Sequence, residues 1–68
     1  MNKQNEAVGK RLRQLRGKRT QQAVANAVGV TAMAISHYER GKRMPMPPIM
    51  AKLAREYGTT VDELFFNF

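Results

Sequence analysis

The stretch TQQAVANAVGVTAMAISHYERGKR, residues 20–43, decides how the chain folds. Its apolar positions recur at helical spacing, without the sustained alternation of a strand. Thr20 is placed to cap a helix over Gln21 to Val28, and Gly29 stops it. Thr31 caps a second helix that runs through Glu39 and is ended by Arg40-Gly41. Two helices this short can cross steeply through a tight turn only if particular sizes fall at particular places. Ala25 must be small where the helices approach, and Gly29 suits the left-handed conformation that turns the chain. Ile35 and Tyr38 send apolar groups back to the preceding helix.

Working outward, the spacing predicts a helix from about Glu6 to Arg16, with Asn5 as its N-cap. Val8, Leu12 and Leu15 form its apolar face, and Lys10, Arg11 and Arg13 surround it. Gly17-Lys18-Arg19 breaks the helix. On the other side lies a loop from Lys42 to Met46, after which Pro47-Pro48 sits where proline is tolerated, at a helix start. Ile49, Met50, Leu53, Ala54 and Tyr57 are the expected inner face of that fourth helix, and Gly58 its C-cap. Thr60-Val61-Asp62-Glu63 matches a capping box and opens a last short helix holding Val61, Leu64 and Phe65. The expectation is all-α, a compact bundle of about five short helices forming one domain over residues 1–68.

A chain of 68 residues makes one small domain, because below roughly 70–80 residues a lone core supplies only about 3–5 kcal/mol. With no cysteine, neither disulfides nor a thiolate zinc site can supplement that core. No apolar run approaches the ~20 residues of a membrane span, and the start has no signal-peptide character. A cytoplasmic protein with no membrane partner is expected. Net charge is +7, and it is unevenly placed: residues 1–43 carry a balance of +8 and residues 44–68 a balance of −1. One end is suited to a polyanion, the other to core and protein contacts.

The Gln21, Ala25, Gly29, Ile35, Tyr38 constellation has helix-turn-helix spacing, and TQQAVANAVGVTAMAISHYERGKR resembles the Cro/repressor (XRE-like) family of phage and bacterial transcriptional regulators. The match is specific in Thr20-Gln21, Gly29-Val30-Thr31, Ile35-Ser36, Glu39-Arg40-Gly41 and Asp62-Glu63-Leu64, and covers nearly the whole chain. Two departures stand out. The connection between Arg16 and Thr20 is about two residues shorter than is usual in the family, and Met46-Pro47-Pro48 stands where a polar cap is common.

The resemblance implies that the third helix reads DNA. Since Ile35 and Tyr38 point inward, Thr31, Ala32, Met33, Ser36 and His37 are the expected base-reading positions. The set lacks the Arg, Asn or Gln that read guanine or adenine bidentately. Ala32 and Met33 offer apolar surface to thymine methyls, Ser36 can bond to several base edges, and His37 can donate to guanine, so a thymine-biased site is expected. Met33 could equally fill a gap in the core, and His37 could meet a phosphate or water instead of a base. Gln21, with Thr20 beside it, resembles the family glutamine that holds a phosphate at a helix start; its alternative is an ordinary first-turn residue.

Arg40, Lys42 and Arg43 follow the reading helix and are the foremost phosphate contacts, with Lys10, Arg11 and Arg13 secondary; some of the six will form only a solvated face. The resemblance also implies that Arg16 pairs with Glu39, a structural role. One histidine, no cysteine and an Asp62-Glu63 pair explained by a helix start leave no catalytic or metal-binding set, and no enzyme, cofactor or small-molecule ligand is expected. A repressor of Cro type, acting as a homodimer on double-stranded DNA, is the leading reading. An antitoxin-like or cofactor-like protein-interaction module is the alternative, while short capped helices argue against a cationic membrane-surface peptide. With the chain ending at Phe68, a dimer is expected to use this domain, through the loop Met44, Pro45, Met46, Pro47 and the tail Phe66 and Phe68. The two phenylalanines could equally fold back on their own domain.

Overall fold

The computed structural model describes residues 3–67. Five helical segments follow one another: α1 Lys3–Arg16, α2 Gln21–Val28, α3 Ala32–Glu39, α4 Pro47–Glu56 and a single π-type turn, α5, Asp62–Phe66. There is no strand among the described residues. The core takes Val8 and Leu12 from α1, Val24, Ala25 and Val28 from α2, Ile35 and Tyr38 from α3, Met50, Leu53 and Ala54 from α4, and Leu64 and Phe65 from α5. Ile49, Tyr57 and Val61 pack against it from its edge.

The turn between α2 and α3 follows from its caps. Thr20 Oγ1 accepts from the Ala23 N–H at 3.0 Å and Thr31 Oγ1 from the Ala34 N–H at 3.0 Å, so each helix starts with an otherwise orphaned donor satisfied. Gly29 adopts φ +78°, and the N–H groups of Gly29 and Val30 both reach the Ala25 carbonyl, at 2.8 and 3.0 Å. That left-handed residue reverses the chain so that α3 crosses α2 over the fully buried Ala25.

Several boundaries differ from expectation. Helix α1 begins at Lys3, so Asn5 lies inside it and is not its N-cap. Within this first turn and a half the α1 backbone at Asn5 and Glu6 lies against Gly41, where a Cβ would come within 3.1 Å of Glu6 N and Cα. Leu15, expected on the inner face, is 41% exposed and lines a shallow depression with Arg11 and Thr59, because the last turn of α1 runs past the elements that cover Val8 and Leu12. The capping box at Thr60 is half formed. Thr60 Oγ1 accepts from the Glu63 N–H at 3.1 Å, but the Glu63 carboxylate accepts from the Thr59 hydroxyl at 3.2 Å. The last helix shrinks to one wide turn in which the consecutive Leu64 and Phe65 are both fully buried. Helix α4 starts at Pro47, with Met46 as an N-cap that makes no side-chain hydrogen bond.

Gly9 sets how α1 meets α3. A Cβ built there would lie 2.4 Å from the Glu39 carbonyl oxygen and 2.9 Å from that of Tyr38, so only glycine allows this approach.

Candidate nucleic-acid interface

Helix α3 turns two faces to two environments. Ile35 (2% exposed) and Tyr38 (7%) are locked inside, and Ala34 packs against the core. Met33 on the other side is 67% exposed, which removes its core-filling reading. Thr31 is exposed, and Ala32, Ser36 and His37 are half-buried. The side chains expected at base edges therefore stand together on the outer surface and the first turn of α3, as helical periodicity requires. No titratable group but His37 lies among them.

The C-terminal end of α3 is held by a carboxylate. Glu39 Oε2 accepts from Arg16 Nε at 2.7 Å, and its Oε1 accepts from Arg16 Nη2 at 3.0 Å and from Gln21 Nε2 at 3.1 Å. Only 4% of the Glu39 side chain and 16% of the Arg16 side chain are exposed. Two parallel charge-assisted bonds fix the guanidinium plane, and the glutamine donates a third bond, so the buried carboxylate is satisfied. The bond to Glu39 raises the Arg16 pKa against the opposing effect of burial, so the guanidinium stays charged. Arg16 Nη1 also donates to the Arg19 carbonyl at 2.7 Å, which closes the short connection to α2. Burial, with the Glu39 charge added, pushes the Tyr57 hydroxyl above its ordinary value. Arg19 in turn pairs with Glu56 of α4 at 2.8 Å.

Gln21, expected on a phosphate, thus has one amide hydrogen committed to Glu39; an amide nitrogen carries a second. Thr20 is exposed beside it, its hydroxyl capping α2. Arg40, Lys42 and Arg43 are exposed where the chain leaves α3, and Arg40 Nε makes a long 3.4 Å bond back to the Ser36 carbonyl. Lys10 and Arg13 are exposed on α1. Arg11 differs: its Nη1 donates to the carbonyls of Glu63 and Asn67, the latter at 3.2 Å, and so ties α5 to α1. Sequence reading missed that anchor and the Gln21 bond, which have no local pattern. A glycine inside an otherwise good helix was a usable signal for the approach at Gly9.

The apolar loop is more buried than expected. Pro45 is buried and Met44 packs against the core, because the chain must return from α3 to α4 across the end of the bundle. Pro45 does not present the exposed surface assigned to it, and Met44 presents it only in part. Met46, 70% exposed, and Pro47 do. Phe66 is 56% exposed, between Lys3, Gln4 and Ala7 on one side and Asp62 and Asn67 on the other. Phe68 lies outside the described residues. No group of three or more His, Cys, Asp or Glu placed to hold a metal occurs among the described residues.

Five helices with a tight α2–α3 crossing and an outward-facing α3 define a helix-turn-helix domain, and residues 10–64 match that family, so the chain belongs to it. Among solved structures, it is similar to the P22 c2 repressor protein in complex with synthetic operator 9T in the presence of Tl+. The two share 30% identity with a TM-score of 0.85, over 90% of this chain and 96% of the other. No curated protein matches the chain.

Proposed function

We propose that the protein is a DNA-binding transcriptional regulator, a Cro-like repressor of phage type that acts in the cytoplasm on pseudo-palindromic operator DNA. The observation that carries this reading is the outer face of α3, uncharged and open, next to the exposed Lys42 and Arg43. The likeness to a repressor crystallised on its operator supports it. Thr31, Ala32, Met33, Ser36 and His37 read base edges in the major groove, with Met33 against thymine methyls. Arg40, Lys42 and Arg43, with Lys10, Arg13, Thr20 and the second amide hydrogen of Gln21, hold phosphates. Arg11, whose Nη1 is tied to the Glu63 and Asn67 carbonyls, is the least available of these cations.

A reader of this size covers one half-site, so two subunits about 34 Å apart serve a full operator. The homodimer uses Phe66, with Met46 and Pro47 as a second apolar contact. Lys3 and Asp62 flank Phe66 on opposite sides, and a two-fold axis can set each against its opposite in the other copy. Sedimentation of the free protein and of its complex tests this: Phe66→Ser weakens association, and one subunit per full site rules the dimer out.

Salt titration on duplex DNA tests the binding itself. If the dimer neutralises about six to ten phosphates, log K falls with log[salt] at a slope of roughly −5 to −9. A slope near zero favours the second reading, a protein-interaction module, to which the exposed Met33 is also suited.

A further inference from the structure

The chain contains no cysteine, so its peroxide-reactive sulfur is methionine sulfur alone. Among the described methionines, Met50 is 8% exposed and Met44 is packed against the core, whereas Met33 and Met46 are 67% and 70% exposed. Met46 lies in the loop before α4, and Met33 is the one large apolar side chain on the outer face of α3, beside Ala32, Ser36 and His37. We propose that Met33 is an oxidative modification site, and that conversion of its thioether to the sulfoxide by a peroxide removes base discrimination while leaving backbone binding in place. This rests on α3 being the base-reading helix.

The chemistry needs nothing but the oxidant. The sulfur lone pair attacks one peroxide oxygen, the O–O bond breaks and an S–O bond forms. The second oxygen leaves as water or alcohol, carrying the peroxide proton. Sulfur is oxidised by two electrons and the peroxide is reduced by two. The product is a polar, hydrated group at the place where an apolar one meets thymine methyls, and seating it in the groove means stripping that hydration. No charged group of the interface changes, since Lys42, Arg43 and Arg40 are not peroxide targets. The oxidised protein keeps its electrostatic affinity for any duplex and loses its preference for one.

The experiment uses the full chain, a duplex selected from a random pool and a scrambled duplex of the same composition. The protein is treated with hydrogen peroxide, sulfoxide is located by peptide mass spectrometry, and the helical circular dichroism signal checks that the fold persists. Each variant is compared with its own untreated baseline. The expected result is about a tenfold loss of affinity for the selected duplex, equivalent to ~1.4 kcal/mol, with little change on the scrambled one. Methionine sulfoxide reductase with a thiol reductant restores the loss. Both arms carry Met46→Leu, so that oxidation at the proposed dimer contact plays no part: that background retains the sensitivity, and adding Met33→Leu to it abolishes it. Bound duplex slows sulfoxide formation at Met33. Undiminished preference with Met33 shown to be oxidised overturns the inference, as does equal peroxide sensitivity in Met33→Leu or an equal loss on both duplexes. Untreated protein that does not distinguish the duplexes sinks the base-reading assignment and this inference with it.

Discussion

The inner and outer faces of α3 share one backbone of eight residues but not one environment. Inside, Ile35 and Tyr38 belong to a core closed by α1 and α2, and Glu39 is gripped by Arg16 and Gln21. Outside, Met33 stands two-thirds exposed and Ser36 and His37 border solvent. Burial of this kind predicts that changes on the inner face cost most of the stability and that a change at Met33 costs little. A helix built this way can keep its position while its outer surface varies, which is what placing specificity on a fixed scaffold requires.

The sharpest break in that comparison is Ile35→Ala. Truncating a fully buried isoleucine costs about 2–5 kcal/mol, against a total of about 3–5 for a domain of this size. Chemical denaturation is expected to find the variant largely unfolded, and a midpoint close to that of the parent would show that the inner face carries little. Next comes Glu39→Ala, which strands Arg16 and the Gln21 amide. Breaking a buried pair costs roughly 3–5 kcal/mol, lowered toward about 2 here because Arg16 lies near the surface and can turn to water. Adding Arg16→Ala should then cost little more, and additive losses would mean that the two do not act as a pair.

On the outer face, Met33→Ala is expected to cost about 1–3 kcal/mol in binding at a preferred thymine position, with stability unchanged within about 0.5 kcal/mol. Equal losses on matched and scrambled duplexes would contradict base reading by Met33. Arg43→Ala should weaken all sequences alike and reduce the salt slope by about 1. The smallest effect concerns pH. The Tyr57 hydroxyl titrates above its ordinary value of 10.0 in the folded protein, mainly through burial and secondarily through the Glu39 charge. As pH rises past 10 the unfolded chain ionises first, so the stability contributed by neutral Tyr57 is intact below that pH and declines above it. Tyr57→Phe should flatten this alkaline decline.

What could be read in the chain was whatever depends on near neighbours. Helices α2 and α3 begin and end where Thr20, Gly29, Thr31 and Gly41 place them, because capping is settled within a few residues. The inward direction of Ile35 and Tyr38, and hence the outward set beginning at Thr31, follows from helical periodicity alone. The boundaries that shifted are those where a distant segment intervenes. The first turns of α1 pack against Gly41 at Asn5 and Glu6, and Leu15 is uncovered at the far end of the same helix. The return of the chain to α4 buries Pro45.

The amino-acid sequence by itself determined the all-helical class, the α2–turn–α3 unit and the basic stretch over residues 1–43, since composition, caps and period are local properties that any compact fold of this chain must respect. Tertiary structure alone decided that Gly9 meets the Glu39 carbonyl, that Arg11 Nη1 donates to the carbonyls of Glu63 and Asn67, and that Gln21 shares Glu39 with Arg16. Each of these contacts joins residues 18 or more positions apart. Nothing in a local pattern distinguishes an arginine that will hold a phosphate from one that will close the last turn of its own domain. The difference is made by which carbonyls the packed core leaves within reach.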